Sequence, residues 1–253
     1  MSNKSTYEST DIVSAYAKET GLQPAEETII NQLRDKLSNM RVLDIGIGTG
    51  RTTTCLADYT KDYIGIDNSE NMIKFCEKRF EGFQTNLSLN VCDVRSMDIF
   101  EDNFFDFVLF SYNGIDYMPY GDRTRALKEI HRVSKPGGFF CFSTHNFRHI
   151  DHLKRFTIGR NPLRLIVRYL HAQYIVWQRN SNTGIMHAII RDGGENFRLK
   201  TCYVEPLEQI KKLKEIGFKN IRIFSEKTGN ELGDISNIDG TKDDRWIYYT
   251  CNT

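Results

Sequence analysis

The sequence of 253 residues predicts an α/β fold, in which a mostly parallel sheet carries helices on both faces. From residue 40 onward, short apolar runs alternate with stretches of helical periodicity, the order expected of strands joined by helical crossovers. A glycine-rich turn between Gly46 and Gly50 joins the first apolar run to the first helical stretch. Such crossovers should be right-handed, and ligands should bind at the carboxyl ends of the strands.

The predicted strands are short apolar runs bounded by polar or turn residues, as is typical of strands buried on both faces. In chain order they span residues 40–45, 63–66, 87–92, 105–110, 139–144, 221–225 and 246–250.

Helical periodicity predicts the helices between and before these strands. They span residues 10–18, 25–37, 52–59, 70–80, 123–133 and 207–216. Pro24, with Glu26 and Glu27, marks the start of the second helix, because proline and acidic side chains favour a first turn. Gly217 ends the last one, since glycine readily adopts the left-handed conformation of a helix C-terminus.

The chain is predicted to be a single domain in four parts. These are an N-terminal helical lid at 1–39, a core at 40–144, an inserted lid subdomain at 145–205, and a C-terminal helix with two strands at 206–253. The insert is inferred because 145–205 is too long for a plain connection. Within it, residues 162–178 predict an amphipathic helix, and residues 192–195 predict the turn of a hairpin.

Charge and cysteine content narrow the class of protein. Lys and Arg number 34 against 33 Asp and Glu, which argues against a wholly basic nucleic-acid-binding protein. Six cysteines are scattered without metal-ligand spacing, as expected of reduced core thiols. The start of the chain lacks the apolar core of a signal peptide, and no apolar run reaches about 18 residues. These features predict a cytoplasmic protein, monomeric or homodimeric, that does not enter a membrane.

The most informative segment follows the first predicted strand. Asp44 precedes three glycines, Gly46, Gly48 and Gly50, whose spacing lets the backbone approach a ligand closely. A dinucleotide fingerprint needs its third glycine at position 51, which is Arg51. A carboxylate here would repel a pyrophosphate and attract a cationic amino-acid group. Alternatively, Asp44 caps the loop by accepting hydrogen bonds from backbone amides.

Two further carboxylates end the next two predicted strands. Asp67 can accept both hydroxyls of a ribose. Asp93 can accept the amino group of an adenine, with Val94 packing on the ring. Each carboxylate could instead be a helix cap or a solvated loop end.

Together these motifs, with the turn segment at 129–138, resemble those of class I S-adenosylmethionine-dependent methyltransferases. The resemblance covers about residues 40–144, the last helix and the last two strands. It implies a Rossmann-like, seven-stranded, mostly parallel sheet whose last strand is antiparallel. It also implies S-adenosylmethionine as cofactor, S-adenosylhomocysteine as product and no metal. The cofactor-binding residues assigned in this way are Asp44, Gly46, Gly48, Gly50, Asp67, Asn68, Met72, Asp93, Val94, Phe110, Ser111 and, from the lid, Tyr16.

The methyl acceptor should bind at the carboxyl ends of the fourth and fifth strands. His145 is the candidate general base because histidine titrates near neutrality; its alternative is a loop histidine that only shapes the pocket. The catalytic assignments are His145, Tyr112 and Asp116, and the acceptor-binding assignments are Asn113, Tyr117 and Tyr174.

The insert is the basic part of the chain. Residues 145–180 contain seven Lys or Arg and one acidic residue. The predicted helix at 162–178 carries its apolar side chains on one face: Leu163, Ile166, Val167, Leu170, Tyr174 and Trp177. The insert is therefore either a lid helix packed on the sheet with a solvated basic face, or a surface that recruits an anionic substrate or partner.

The sequence thus predicts a methyltransferase that acts on nitrogen or oxygen of a small metabolite or natural product, with an anionic or aromatic acceptor. Nucleic acid is not the expected substrate, because residues 110–118 lack the Asn-Pro-Pro-Tyr signature of adenine methylation. Two alternatives stay open. One is methylation of RNA or protein through the basic insert, and the other is a non-catalytic S-adenosylmethionine-binding interaction module.

Overall fold

A computed structural model describes residues 3–82, 87–150, 170–171, 173–175, 177, 183–184, 186–192, 195, 197–233 and 241–253. The strands are β1 Arg41–Ile45, β2 Asp62–Asp67, β3 Leu87–Val91, β4 Phe105–Phe110, β5 Ser134–Asn146, β6 Thr183–Gly184, β7 His187–Ile190, β8 Thr201–Val204, β9 Lys219–Ser225 and β10 Trp246–Asn252. The helices are α1 Asn3–Tyr7, α2 Thr10–Tyr16, α3 Pro24–Leu37, α4 Thr53–Leu56, α5 Glu70–Arg79, α6 Tyr120–Val133 and α7 Pro206–Ile216.

The main sheet has the strand order β3-β2-β1-β4-β5-β10-β9. Strands β1 to β5 are parallel, whereas β10 runs antiparallel to both β5 and β9. The predicted Rossmann-like, seven-stranded sheet with an antiparallel last strand is therefore confirmed. The order reverses between β1 and β4, and ligands of such sheets bind at this switch point, outside the carboxyl ends of the strands.

Helices cover both faces of the sheet, because successive strand residues point to opposite sides. On one face, Leu43 and Val108 join a buried cluster that includes Ile130 of α6 and Leu213 of α7. On the other face lies a second cluster of strand residues with side chains from α3 and α5, among them Val42, Phe107, Ile29 and Ile73.

The insert extends the sheet at the carboxyl end of β5. There His145 and Asn146 pair in parallel with β8. Strand β8 pairs antiparallel with β7, and β7 pairs antiparallel with β6. The predicted hairpin is confirmed in the antiparallel pairing of β7 with β8, although residues 193, 194 and 196 of its connection lie outside the described residues.

The predicted insert helix is described only at residues 170, 171, 173–175 and 177, which are helical. Of the apolar face that one alternative packs on the sheet, Leu170, Tyr174 and Trp177 are described, and these three side chains are exposed instead. Trp177 is 62% exposed and Leu170 59%, whereas Ile175 is buried and packs with Ile150 and Ile190. Helical periodicity grouped the apolar residues on one face, but Ile175, which packs in the core, lies on the neighbouring face.

Other element boundaries shift by a few residues. Helix α6 begins at Tyr120, three residues before the predicted start, because Pro119 stands at its N-cap in an extended conformation. Strand β5 includes the predicted turn at 135–138, because Gly137 and Gly138 exchange backbone hydrogen bonds with Thr253. All six cysteines are free, and no helix among the described residues is long and apolar enough to cross a membrane.

Candidate active site

A cavity of about 400 Å³ lies at the carboxyl ends of β1 to β4, within the size range of small-molecule sites. The loops after these strands and the N-terminal segment form its walls. Most of the predicted cofactor residues line it: Asp44, Gly46, Gly48, Asp67, Asn68, Met72, Asp93, Val94, Phe110, Ser111 and Tyr16.

Two glycines of the loop have different tasks. At Gly48 (φ +57°) an added Cβ would have a single atom within 4 Å, a backbone oxygen 3.9 Å away. A side chain here would therefore enter the cavity. At Gly50 (φ +81°) an added Cβ would lie 2.4 Å from the ring of Phe80 in the turn after α5. Gly50 does not line the cavity. Its predicted cofactor contact is therefore corrected to close packing between the loop and Phe80.

Asp67 is fixed at the end of β2 by backbone donors. Its carboxylate accepts hydrogen bonds from the amide of Gly48 (3.0 Å) and from the amide of Ser69 (2.9 Å). Each oxygen keeps a lone pair for a further donor, as a ribose hydroxyl would supply. Burial raises the pKa of Asp67. The ribose role stays a prediction that this placement allows.

Asp44 lies deeper, beneath the glycine loop. It accepts hydrogen bonds from the hydroxyls of Tyr63 (2.6 Å) and Thr52, not from the backbone amides that the capping alternative required. Burial raises the pKa of Asp44 to about 6. Its carboxylate nevertheless borders the cavity, where it can face a cationic group.

Asp93 is held by a residue that the sequence did not single out. Arg95 donates to the Asp93 carboxylate through Nη2 (2.6 Å) and Nε, and to Asp122 through Nη1 (2.6 Å). The guanidinium lowers the pKa of Asp93. Asp93, Val94 and Arg95 all line the cavity, so an adenine would meet this acid–arginine pair.

A buried ion pair ties α3 to the glycine loop. Glu26 is 0% exposed and accepts two hydrogen bonds from Arg51, at 2.6 and 2.7 Å. The hydroxyls of Tyr248 and Ser111 also donate to Glu26. The Arg51 guanidinium lies 5.1 Å above the centre of the Tyr112 ring. Sequence reasoning took Glu26 only as a first-turn acid, and no local pattern indicates its partners.

Beyond the glycine loop, six aromatic side chains form a closed series in which each ring meets the next edge-to-face. We call this series the aromatic frame; in order it comprises Tyr7, Tyr16, Tyr112, Trp246, His145 and Tyr117. Neighbouring ring centres are 5.6 to 6.4 Å apart. The four tyrosines line the cavity, so the cavity extends from the glycine loop to the frame.

His145 is oriented by a buried carboxylate. Its Nδ1 lies 2.8 Å from Oδ2 of Asp116, which also accepts from the His145 amide (2.6 Å). Asp116 is 0% exposed and pairs with the buried Arg123. Asp116 does not line the cavity, which corrects the expectation that it faces the acceptor, and His145 is not among the cavity-lining residues either. The Asp116 carboxylate orients the His145 ring, and the role of His145 as general base stays a prediction.

Two other acceptor assignments are also corrected. Asn113 adopts a left-handed conformation (φ +62°), and its amide donates to Ser143; its side chain is buried outside the cavity. Tyr174 is 37% exposed and stacks on Trp177, because its helix face is turned outward. Neither residue lines the cavity, whereas Tyr112 and Tyr117 do.

The site suits S-adenosylmethionine, the cofactor that the sequence resemblance implies. An open backbone position at Gly48, acceptors at Asp67 and Asp93 and a carboxylate at Asp44 surround one cavity. Among the described residues, no group of three or more His, Cys, Asp or Glu could hold a metal ion.

Comparison with known proteins gives the same family. Residues 42–138 match the family described as a methyltransferase domain. A demethylmenaquinone methyltransferase of Staphylococcus saprophyticus is 35% identical over 111 residues, which are 42% of this chain and 46% of that protein. One of Staphylococcus aureus strain JH9 is 29% identical over 73% of this chain and 70% of its own length. The match thus spans less than half the length of the first of these relatives.

Solved structures share the fold. An S-adenosylmethionine-dependent methyltransferase from Clostridium acetobutylicum superposes with a TM-score of 0.63 at 16% identity, covering 96% of this chain and 97% of that one. The 1,6-didemethyltoxoflavin-N1-methyltransferase of Burkholderia thailandensis, with S-adenosylhomocysteine bound, has a TM-score of 0.59 at 13% identity, with 98% and 88% coverage. Residues 42–138 thus match the methyltransferase-domain family, and the chain shares the fold of S-adenosylmethionine-dependent methyltransferases.

Proposed function

We propose that this chain transfers the methyl group of S-adenosylmethionine to nitrogen or oxygen of a small acceptor molecule. The observation that carries the proposal is the continuity of the cavity, which runs from the glycine loop to the aromatic frame. One end therefore suits the cofactor, and the other end presents aromatic side chains, of which Tyr117 meets the ring of His145.

The bound cofactor supplies an activated methyl group on a sulfonium sulfur. The protein's part is to hold the acceptor atom close to that methyl group and in line with it, which can account for much of a rate enhancement. Gly48, Asp67 and Asp93 would hold the adenosine, and Asp44 would face the amino-acid end. His145, oriented by Asp116, would take a proton from an acceptor that carries one.

The relatives support a small acceptor. Their names, demethylmenaquinone methyltransferase and 1,6-didemethyltoxoflavin-N1-methyltransferase, each specify a small molecule.

The first test is cofactor binding by calorimetry. Asp67→Asn should weaken S-adenosylmethionine binding by about 1–3 kcal/mol, the scale for losing a charge-assisted hydrogen bond. The matched control is Asp62→Asn at the opposite end of β2, where Asp62 pairs with Arg41. NAD should bind much more weakly than S-adenosylmethionine. Equal affinities for the two, or an unchanged constant in Asp67→Asn, would contradict the proposed site.

The second test is transfer of labelled methyl from S-adenosylmethionine to a panel of small acceptors. Transfer that falls by about 10²-fold or more in His145→Gln would support the base. Cofactor binding without transfer to any acceptor would favour the interaction module instead.

A further inference from the structure

We infer that Arg51 binds the carboxylate of the cofactor's amino-acid group, so that the site selects S-adenosylmethionine over its decarboxylated form. The inference rests on the proposed function and adds a specificity-determining residue to the same site. Three observations carry it: the hydrogen-bond donors that Arg51 has left, its place beside Asp44, and the way in which Glu26 orients it.

The buried guanidinium of Arg51 has donors without a partner. A guanidinium carries five N–H donors and no acceptor. Nη1 donates to the carbonyl of Gly21 and to Oε2 of Glu26, both at 2.7 Å, and Nη2 donates to Oε1 of Glu26 at 2.6 Å. Within the part of the chain that the structure describes, no acceptor meets Nε or the second hydrogen of Nη2. The side chain is 10% exposed and lines the cavity, so a ligand there can accept from these donors.

Arg51 lies beside the carboxylate that faces the amino-acid end of the cavity. It directly precedes Thr52, whose hydroxyl donates to Asp44, and both Arg51 and Asp44 line the cavity. An amino acid at neutral pH carries an ammonium and a carboxylate on the same carbon atom. A carboxylate and a guanidinium side by side match these two charges, with the ammonium at Asp44 and the carboxylate at Arg51.

The other two cationic residues that line the cavity, Arg95 and Lys4, are less suited to this task. Arg95 donates through Nε, Nη1 and Nη2 to Asp93 and Asp122, at the end that suits the adenine. Lys4 on α1 is exposed to solvent, where contact with a carboxylate contributes little. Arg51 is therefore the buried cation that the amino-acid end offers.

Glu26 holds the Arg51 guanidinium in one orientation. Both oxygens of the buried Glu26 carboxylate accept from Arg51, and the same carboxylate accepts from the hydroxyls of Ser111 and Tyr248. The guanidinium also lies over the ring of Tyr112. A donor that is already oriented loses little conformational freedom when a ligand binds, so more of its hydrogen-bond energy contributes to affinity. Glu26 is thus a positioning residue that acts through Arg51.

The test measures the binding of S-adenosylhomocysteine and of its decarboxylated analogue, which keeps the amine and lacks the carboxylate. In the wild type the intact ligand should bind about 10- to 100-fold more tightly, the scale of a charge-assisted hydrogen bond. Arg51→Met should bring this ratio close to unity. It is made together with Glu26→Gln, so that no buried charge is left unpaired and the net charge of the pair is unchanged. Because the ratio compares two ligands in one variant, a general loss of folded protein does not change it.

Glu26→Gln alone separates recognition from packing. It keeps the Arg51 donors and removes the neighbouring negative charge, so the ratio should stay at the wild-type value or rise. A merely structural ion pair would change the ratio alike in the single and the double variant. Arg95→Met, at the other arginine of the cavity, is the matched control and should leave the ratio unchanged.

The outcomes separate this inference from the proposed function. A ratio that the double variant leaves unchanged, or one that is lost in Arg95→Met or Lys4→Met instead, would overturn the role of Arg51 and leave the proposed function standing. Failure of S-adenosylhomocysteine to bind the wild type would remove both.

Discussion

At the scale of single residues, Asp44 combines a site function with a cost to stability. It lines the cavity, yet it is buried among hydroxyl groups that only partly replace water. Burial raises its pKa from 3.8 to about 6. Such groups cluster at functional sites, because a fold selected for stability alone would replace them.

The raised pKa predicts a pH-dependent stability. Between pH 3.8 and about 6 the folded state binds more protons than the unfolded state, so the contribution of Asp44 falls as pH rises through this window. Asp44→Asn should remove this fall. The free energy of unfolding of the variant, relative to the wild type, should rise by about 3 kcal/mol across the window.

Urea unfolding at several pH values measures this difference. The control is Asp62→Asn, in a partly exposed surface ion pair, which should follow the wild type across the same window. Parallel curves for the wild type and Asp44→Asn would contradict the prediction.

Residue spacing predicted the acids at strand ends but not their partners. Asp44 lies near the end of β1, Asp67 ends β2 and Asp93 follows β3, so their common edge follows from the topology. Arg51 pairs with Glu26, 25 residues earlier in the chain, and Tyr248 joins from 222 residues away. Nothing in the local sequence of these residues indicates that they meet.

At the scale of elements, α3 is attached to the site by charge as well as by apolar packing. Ile29 and Leu33 bury its apolar face, while Glu26 in its first turn reaches Arg51. A buried ion pair adds little over apolar residues of the same size, but removing one partner leaves an uncompensated charge. The pair therefore fixes the position of α3 relative to the glycine loop.

This attachment predicts a non-additive pair of mutations. Glu26→Gln should destabilise the protein by about 3–5 kcal/mol, because Arg51 remains buried without a counter-charge. Arg51→Gln should cost a similar amount, and the double variant less than the sum of the two. Urea unfolding of the four proteins gives the coupling energy. Additive effects would show that the two side chains act independently.

The strands were the most predictable elements and the insert the least. Strand β4 has the predicted bounds, Phe105–Phe110. In the insert, Trp177 and Ile175 lie on different faces of one helical turn, and apolar periodicity cannot say which face meets the core. That choice depends on Ile150 and Ile190, which β5 and β7 bring to the same place.

At the scale of the whole molecule, the N-terminal segment bridges the core and the insert across the cavity. Asn3 donates to the backbone oxygens of Tyr117 (2.7 Å) and Lys200 (2.9 Å). The Glu8 carboxylate accepts from the backbone amides of Glu70 (3.0 Å) and Asn71 (3.2 Å), at the N-terminus of α5. These polar contacts, together with the packing of Ile12 and Val13 on Met72, hold α1 and α2 over residues that line the cavity.

The attachment of this segment should set how fast the cofactor leaves. Glu8 does not line the cavity, and Glu8→Ala removes its contact with α5, worth about 0.3–1 kcal/mol at a helix N-terminus. S-adenosylmethionine should dissociate a few-fold faster, while the unfolding midpoint should change little, because opening a weakly held segment is a local event. Stopped-flow displacement measures the rate. Glu77→Ala, exposed on α5, is the matched control and should leave the rate unchanged.

Bound cofactor should also slow hydrogen exchange across α1 and α2 in the wild type more than in Glu8→Ala. Equal dissociation rates and equal protection in the two proteins would mean that the segment covers the cofactor without controlling its release.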